Sequence, residues 1–236
     1  MDRSLSRREV REVDRLAIEQ AGVNSLILME NAGRNCADAI VRFLGGAGEA
    51  SKRSALAGCK IAIIAGSGNN GGDGFVIARH LFMRGASVQT FLTSPTTKFT
   101  ADAAANYAIL EKLRFDLRQV EPQELADLAS RLKEFDLLVD AIGGTGITGA
   151  LRGDTAIAVE QVNAAGRPVV AVDIPTGLDC DTGLAEGPAI KAALTITFVA
   201  RKKGFDNPES QQYTGRVIVA DIGIPAGQVV DVFGDK

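Results

Sequence analysis

Residues 66–75 read GSGNNGGDGF, and two further stretches, VDAIGGTGITGALRG (139–153) and AVDIPTGLDCDTG (171–183), gather the same residue types. Each sets glycine, aspartate and amide or hydroxyl side chains directly behind an apolar run. Glycine lets the backbone approach an anion, and a helix N-terminus adds free N–H groups and a partial positive charge. Gly66 to Gly71 fits G-x-G-x-x-G in the strand-then-helix setting that a dinucleotide-binding turn requires. Its Asn69, Asn70 and Asp73 put polar side chains where a pyrophosphate loop uses mainly backbone. Such loops also want an acidic residue about 20 positions on, to hold the ribose. Here the second strand runs out as FLTSPTT, which offers hydroxyls and no carboxylate.

In the second stretch, Gly143-Gly144-Thr145-Gly146 offers another set of close-approach amides, and Thr145 and Thr148 add hydroxyls, a combination suited to phosphate. Asp140 and Asp173 each close an apolar strand. Ionised carboxylates are rarely left unpaired in such places. Two of them side by side repel unless a cation lies between. Backbone carbonyls, the Asn70 amide, Asp140 and the Thr176 hydroxyl form an all-oxygen set of the kind hard cations choose. The residue types do not say which cation.

These loops need elements to hold them. The spacing of Val10, Val13, Leu16 and Ala17 predicts a helix over 6–20, stopped by Gly22. A second helix spans 24–44, capped by Asn24 or Ser25 and ended by Gly45-Gly46. Apolar runs predict strands at 60–66, 87–93, 115–120, 135–144, 168–177, 193–200 and 216–224. Helices between them are expected at 72–85, 100–114, 122–133 and 154–166. Alternating strands and helices imply right-handed crossovers and a mainly parallel sheet with helices on both faces. The expected architecture is therefore α/β: one Rossmann-like, doubly wound domain over 1–236 with a two-helix N-terminal extension.

Composition narrows the chemistry further. The 236 residues carry a net charge of −3, with 46% hydrophobic and 23% charged residues. No like-charge block points to nucleic acid, and no apolar run reaches the roughly 18 residues of a membrane span. The charged N-terminus is not a signal or transit peptide. Three cysteines (Cys36, Cys59 and Cys180) without C-x-x-C spacing fit the reducing cytoplasm. His80 is the sole histidine and sits in a helical stretch, as a packing or surface residue. Chemistry is left to carboxylates, amides, hydroxyls and backbone.

Taken together, GSGNNGGDGFVIARHL (66–81), VDAIGGTGITGALRG, VDIPTGLDCDTG (172–183), LMENAG (28–33) and VADIGIP (219–225) resemble the NAD(P)H-hydrate epimerase family, from about residue 8 to residue 226. The resemblance implies a Rossmann-like isomerase acting on NADHX and NADPHX, in which the nicotinamide ring has gained water at C6. It interconverts the R and S epimers so that a separate dehydratase can repair the S form. It implies one potassium ion per subunit, held by Asn70, Asp140 and Thr176. Thr176 stands where the family usually has serine, and the hydroxyl is kept. Substrate contacts carry over to Asn69, Asn70, Gly71, Gly72 and Asp73. A second set falls on Gly144, Thr145, Gly146, Ile147, Thr148, Gly149 and Ala150 around the phosphates, and Asp173 lies near the altered ring. Asp173 is the expected catalytic acid/base, with Asp73 behind it. A homodimer is expected on the same ground. Two alternatives fit less well. A non-catalytic nucleotide-binding or protein-interaction module has no need of both aspartates. An ordinary NAD(P) dehydrogenase would want the ribose carboxylate and a hydride-site acid.

Overall fold

The computed structural model describes residues 3–45 and 54–234. Seven strands form one all-parallel sheet in the order β3-β2-β1-β4-β5-β6-β7. They are β1 (Lys60–Ala65), β2 (Ser87–Leu92), β3 (Asp116–Gln119), β4 (Leu137–Ala141), β5 (Val169–Val172), β6 (Leu194–Phe198) and β7 (Arg216–Ala220). The central strands are buried on both faces, which explains why they read as unbroken β-branched runs rather than alternating ones. Alternate residues still choose faces. Ile61, Ile63, Val139 and Val172 join one core with helices α2 (Ser25–Phe43) and α3 (Asn69–Met83). Ala62, Ile64, Leu138 and Ala171 join the other with α6 (Gly153–Ala164).

The N-terminal extension is α1 (Arg7–Arg15) followed by a π-helical turn, Leu16–Gln20. Ser6 caps α1 in a capping box with Glu9. Val10 and Val13 face inward and pack with Leu5 and Ala200, and Gly22 turns the chain with φ +71°. Asn24, not Ser25, caps α2; of the expected Gly45-Gly46 stop, Gly46 lies outside the described residues. Short α4 (Ala101–Lys112), α5 (Leu128–Leu132) and α7 (Gln211–Thr214) and the C-terminal α8 (Ala226–Phe233) complete the set. Among the described residues no helix is long and apolar enough to cross a membrane.

Three elements depart from expectation. Helix α3 begins at Asn69, three residues early, because Asn69 to Gly72 form its first turn rather than a loop. Half of the 122–133 stretch is a 3₁₀ turn (Pro122–Asp127), which Pro122 opens, and only Leu128–Leu132 wind as α-helix. Helix α8 was not foreseen; it is eight residues long, too short for periodicity to separate from a strand's apolar run.

Candidate functional site

The strand order reverses between β1 and β4, so the loops leaving these two strands diverge and open a crevice. A cleft of about 610 Å³ lies there, within the range of ligand-sized cavities. Asn69, Asn70 and Asp73 line it from α3, Gly144 to Ile147 from the loop after β4, and Asp173 from the end of β5. Thr93 and Ser94, the hydroxyls of the second strand's exit, line it too.

Glycine spacing in the first loop has a packing cause. A Cβ on Gly66 would lie 2.0 Å from the Ile142 carbonyl oxygen, and one on Gly71 would lie 2.0 Å from the Gly66 carbonyl oxygen. These two glycines let the loops after β1 and β4 press together and let α3 start under its own loop. Gly68, the N-cap, meets nothing within 4 Å and faces open space. Gly72 abuts Met29 and Ala103 inside α3. Gly71 and Gly72 are therefore buried in the scaffold rather than in the cleft wall. Thr148, Gly149 and Ala150 also lie outside the lining.

Asp140 and Thr176 sit beneath the cleft, both buried. Asp140 Oδ1 accepts from Thr176 Oγ1 at 2.7 Å and from the Ile142 N–H at 3.2 Å; Oδ2 accepts from the Thr176 N–H at 2.8 Å. The Thr176 hydroxyl also lies 3.0 Å from the Gly143 carbonyl oxygen, so one proton faces two acceptors. Burial pushes the Asp140 carboxyl up to about 6 against the pull of these hydrogen bonds.

Asp173 differs. Its backbone is left-handed at φ +65°, uncommon for a side chain with a Cβ and best tolerated by Asp or Asn. The turn is closed by the Ile174 N–H donating to the Val172 carbonyl at 2.8 Å. Asp173 Oδ1 forms an ion pair with Lys202 Nζ at 2.8 Å and accepts from Thr197 Oγ1 at 3.2 Å. Oδ2 lies 3.4 Å from the Thr145 N–H at the cleft wall. The two strand-end carboxylates thus do not share a cation: Lys202 serves Asp173, and neutral donors hold Asp140. Asp73 is nine-tenths buried; burial first, then the charges of Asp173 and Asp14, push it well above the carboxylate range. Asp14, from α1, also lines the cleft and is pushed up to about 6 by burial and then by Asp173.

Lys202 and Asp14 were missed in the sequence. Lys202 stands in the run RKK, which looks like a solvated charge cluster. Asp14 is four residues from Val10 and three from Ala17, hence on the buried stripe of its helix, and that placement was the available signal. His80 lies apart from the cleft, its Nε2 2.8 Å from Glu30 Oε1. The three cysteines are free.

An all-parallel sheet with a cleft at its switch point defines a doubly wound α/β protein of the Rossmann-like class. Comparison with known proteins is more specific. The family described as YjeF-related protein N-terminus matches residues 25–204. An NAD(P)H-hydrate epimerase of Pirellula staleyi is 40% identical over 98% of this chain and 97% of that protein. A bifunctional NAD(P)H-hydrate repair enzyme Nnr of Moorella thermoacetica is 42% identical over 92% of this chain but only 40% of its own length. The crystal structure of yeast ynu0 superposes with a TM-score of 0.79 at 25% identity, covering 99% of this chain and 94% of that one. The chain belongs to the YjeF-related N-terminal family.

Proposed function

We propose that the protein is an NAD(P)H-hydrate epimerase, an isomerase that interconverts the R and S forms of NADHX and NADPHX. The observation that carries this reading is the cleft itself. It joins the amide-rich turn of α3, the glycine loop after β4 and one ion-paired carboxylate, Asp173, in a chain matched end to end by a relative of that name. A dinucleotide's phosphates suit the N–H groups of the glycine loop and of the α3 N-terminus. The altered ring then lies toward Asp173, Asp73 and Asp14.

Inverting C6 requires no net change of atoms or electrons. Either C6–O breaks, with a proton delivered so that water leaves, and water adds to the other face with loss of a proton. Or the hydroxyl loses its proton, the C6–N bond opens to an aldehyde, and the ring closes on the opposite face. Both routes need a group that takes a proton and one that gives it back. Asp173 is the proton acceptor in this reading and Asp73, whose carboxyl burial pushes well above its ordinary range, the donor.

Potassium fits the residues beneath the cleft. Asp140 is a fully buried carboxylate without a cationic partner in its hydrogen bonds, and the Thr176 hydroxyl that it accepts from also reaches the Gly143 carbonyl. Asn70 Nδ2 is buried without a hydrogen-bond partner, a donor left for an acceptor on a bound molecule, while the amide oxygen is the atom that could face a cation. Asn70, Asp140 and Thr176 would hold the ion. Bound there, it would supply positive charge beside the substrate and tie the loops after β1, β4 and β5 together.

The S epimer would pass to a dehydratase; the Moorella relative, a bifunctional NAD(P)H-hydrate repair enzyme, is a longer chain of which the match covers 40%. A homodimer in the cytoplasm, without nucleic-acid or membrane partners, completes the proposal. The test is conversion of purified R hydrate, coupled to a separate dehydratase that consumes only S, with and without potassium. Appearance of NADH above the uncatalysed exchange supports the reading; a rate equal to that background sinks it.

A further inference from the structure

Lys202 is fully buried, and its ammonium is fixed from several sides. Besides the ion pair with Asp173 Oδ1, Nζ donates to Thr197 Oγ1 at 2.7 Å and to the Phe198 carbonyl at 2.9 Å, and lies 3.5 Å from the Ala200 carbonyl. The last two carbonyls flank Val199, whose φ of +67° is a genuine outlier for a β-branched residue. There the Ala200 N–H donates to the Phe198 carbonyl at 2.7 Å, closing a three-residue turn like the one around Asp173. Neighbouring strands β5 and β6 thus end in matching strained turns, one presenting Asp173 and the other building the socket of Lys202. Such strain persists only where the surroundings over-determine it, and it gathers at working sites.

The N-terminal segment seals the socket. Leu5 is buried and pairs with Lys202, its N–H donating to the Arg201 carbonyl and its carbonyl accepting from the Lys203 N–H, both at 2.8 Å. A buried ion pair is a poor device for stability, because desolvating both charges offsets the attraction. Here two strained turns and a strand bridge serve to bury one. Its effect on the cleft is specific. Three carboxylates face one another there, from Asp14, Asp73 and Asp173, and the ammonium touches only Asp173. Oδ1 is occupied by Lys202 and Thr197, which leaves Oδ2 on the cleft side.

We propose that Lys202 is the positioning residue of the epimerase site: its ion pair fixes the Asp173 carboxylate by Oδ1 and holds Oδ2 toward the substrate as the proton acceptor. This rests on the function proposed above. Asp73 and Asp14 are then the carboxyls free to give a proton back.

The test is a double-mutant cycle on the full chain, read as kcat and KM for R-hydrate exchange, with Lys202→Met, Asp173→Asn and both together. Lys202→Met is expected to lower kcat about 100-fold, with KM within roughly threefold of the parent. The double variant is expected to be no slower than Asp173→Asn alone, since Lys202 acts only through that carboxylate. Lys202→Arg, which keeps the charge, is expected to recover at least about tenfold of the loss. A Lys202→Met kcat within about twofold of the parent, or multiplied losses in the double variant, would overturn the proposal. Should Lys202→Met not fold, Thr197→Val removes one anchor of the ammonium and one bond to Oδ1 without changing shape. Its kcat is expected to fall at constant KM, and an unchanged kcat overturns the proposal. If the parent protein itself shows no exchange, it is the epimerase reading that has failed instead.

Discussion

Asp140 and Asp173 end adjacent parallel strands, and in the sequence they look alike: an apolar run, an aspartate, then glycine or proline and threonine. Folded, they do opposite work. Asp140 is closed off, its oxygens taken by two backbone N–H groups and one hydroxyl, all neutral. Asp173 is turned out of regular geometry, given a buried cation and left with one oxygen toward the cleft. The difference shows that the surroundings of a strand-end carboxylate are set by its partners and not by its place in the chain. A carboxylate held by neutral donors ties loops together. One paired with a buried cation keeps an oxygen at the cleft wall, where its hydrogen bond from the Thr145 N–H is long, at 3.4 Å.

Three variants sharpen or break this contrast. The largest effect is expected from Asp140→Ala, which strips the Ile142 and Thr176 N–H groups of their acceptor in a buried site and leaves the Thr176 hydroxyl only the Gly143 carbonyl. At about 1–3 kcal/mol per orphaned group, only partly additive, a loss of roughly 3–5 kcal/mol follows. Urea unfolding measures it, and an unchanged midpoint would mean that Asp140 does not hold the loops. Next comes Gly66→Ala, whose Cβ would press on the Ile142 carbonyl at 2.0 Å, backbone that cannot swing aside. It is expected to cost about 1–3 kcal/mol by the same measurement. Gly68→Ala, two residues away in open space, is expected to stay within about 0.5 kcal/mol. Equal costs at the two positions would contradict the packing account of this loop.

The last expected effect concerns pH. Asp14 is raised to about 6 in the folded protein from an ordinary 3.8. Between those values the folded chain keeps a proton that the unfolded chain has lost. Stability therefore falls as pH rises from about 4 to about 6, by at most about 1.4 kcal/mol per pH unit for this group. Asp73 and Asp140 are shifted in the same direction and add to the slope. Asp14→Asn should flatten the profile by its share; an identical profile would mean that Asp14 is not packed against the acidic cluster.

Much of this architecture was legible beforehand. The seven strands, their parallel order and the three polar loops follow from buried β-branched runs alternating with helices, because that pattern has few solutions. Asn69, Asn70, Asp73, Gly144 and Asp173 could be brought to one cleft by topology alone, since all lie at carboxyl ends of strands flanking one reversal. Lys202 could not. Its burial depends on a strained turn at Val199 and on the bridge to Leu5, a residue nearly 200 positions away. Asp14 was hidden for a related reason: its helix lies outside the alternating pattern, so nothing local said which loops it would face. The start of α3 was misplaced because two glycines and two asparagines are poor helix formers, and only packing against β1's loop and Met29 holds them in a helical turn.

The central claim is that this cleft inverts the hydrated ring through Asp173. Its most direct test follows R-hydrate exchange by the parent protein and by Asp173→Asn, with the fold of both checked by circular dichroism and the uncatalysed rate subtracted. The account predicts rapid exchange by the parent and a fall of about 10²–10⁴ in the variant, toward background. Exchange by Asp173→Asn at the parent's rate would contradict it.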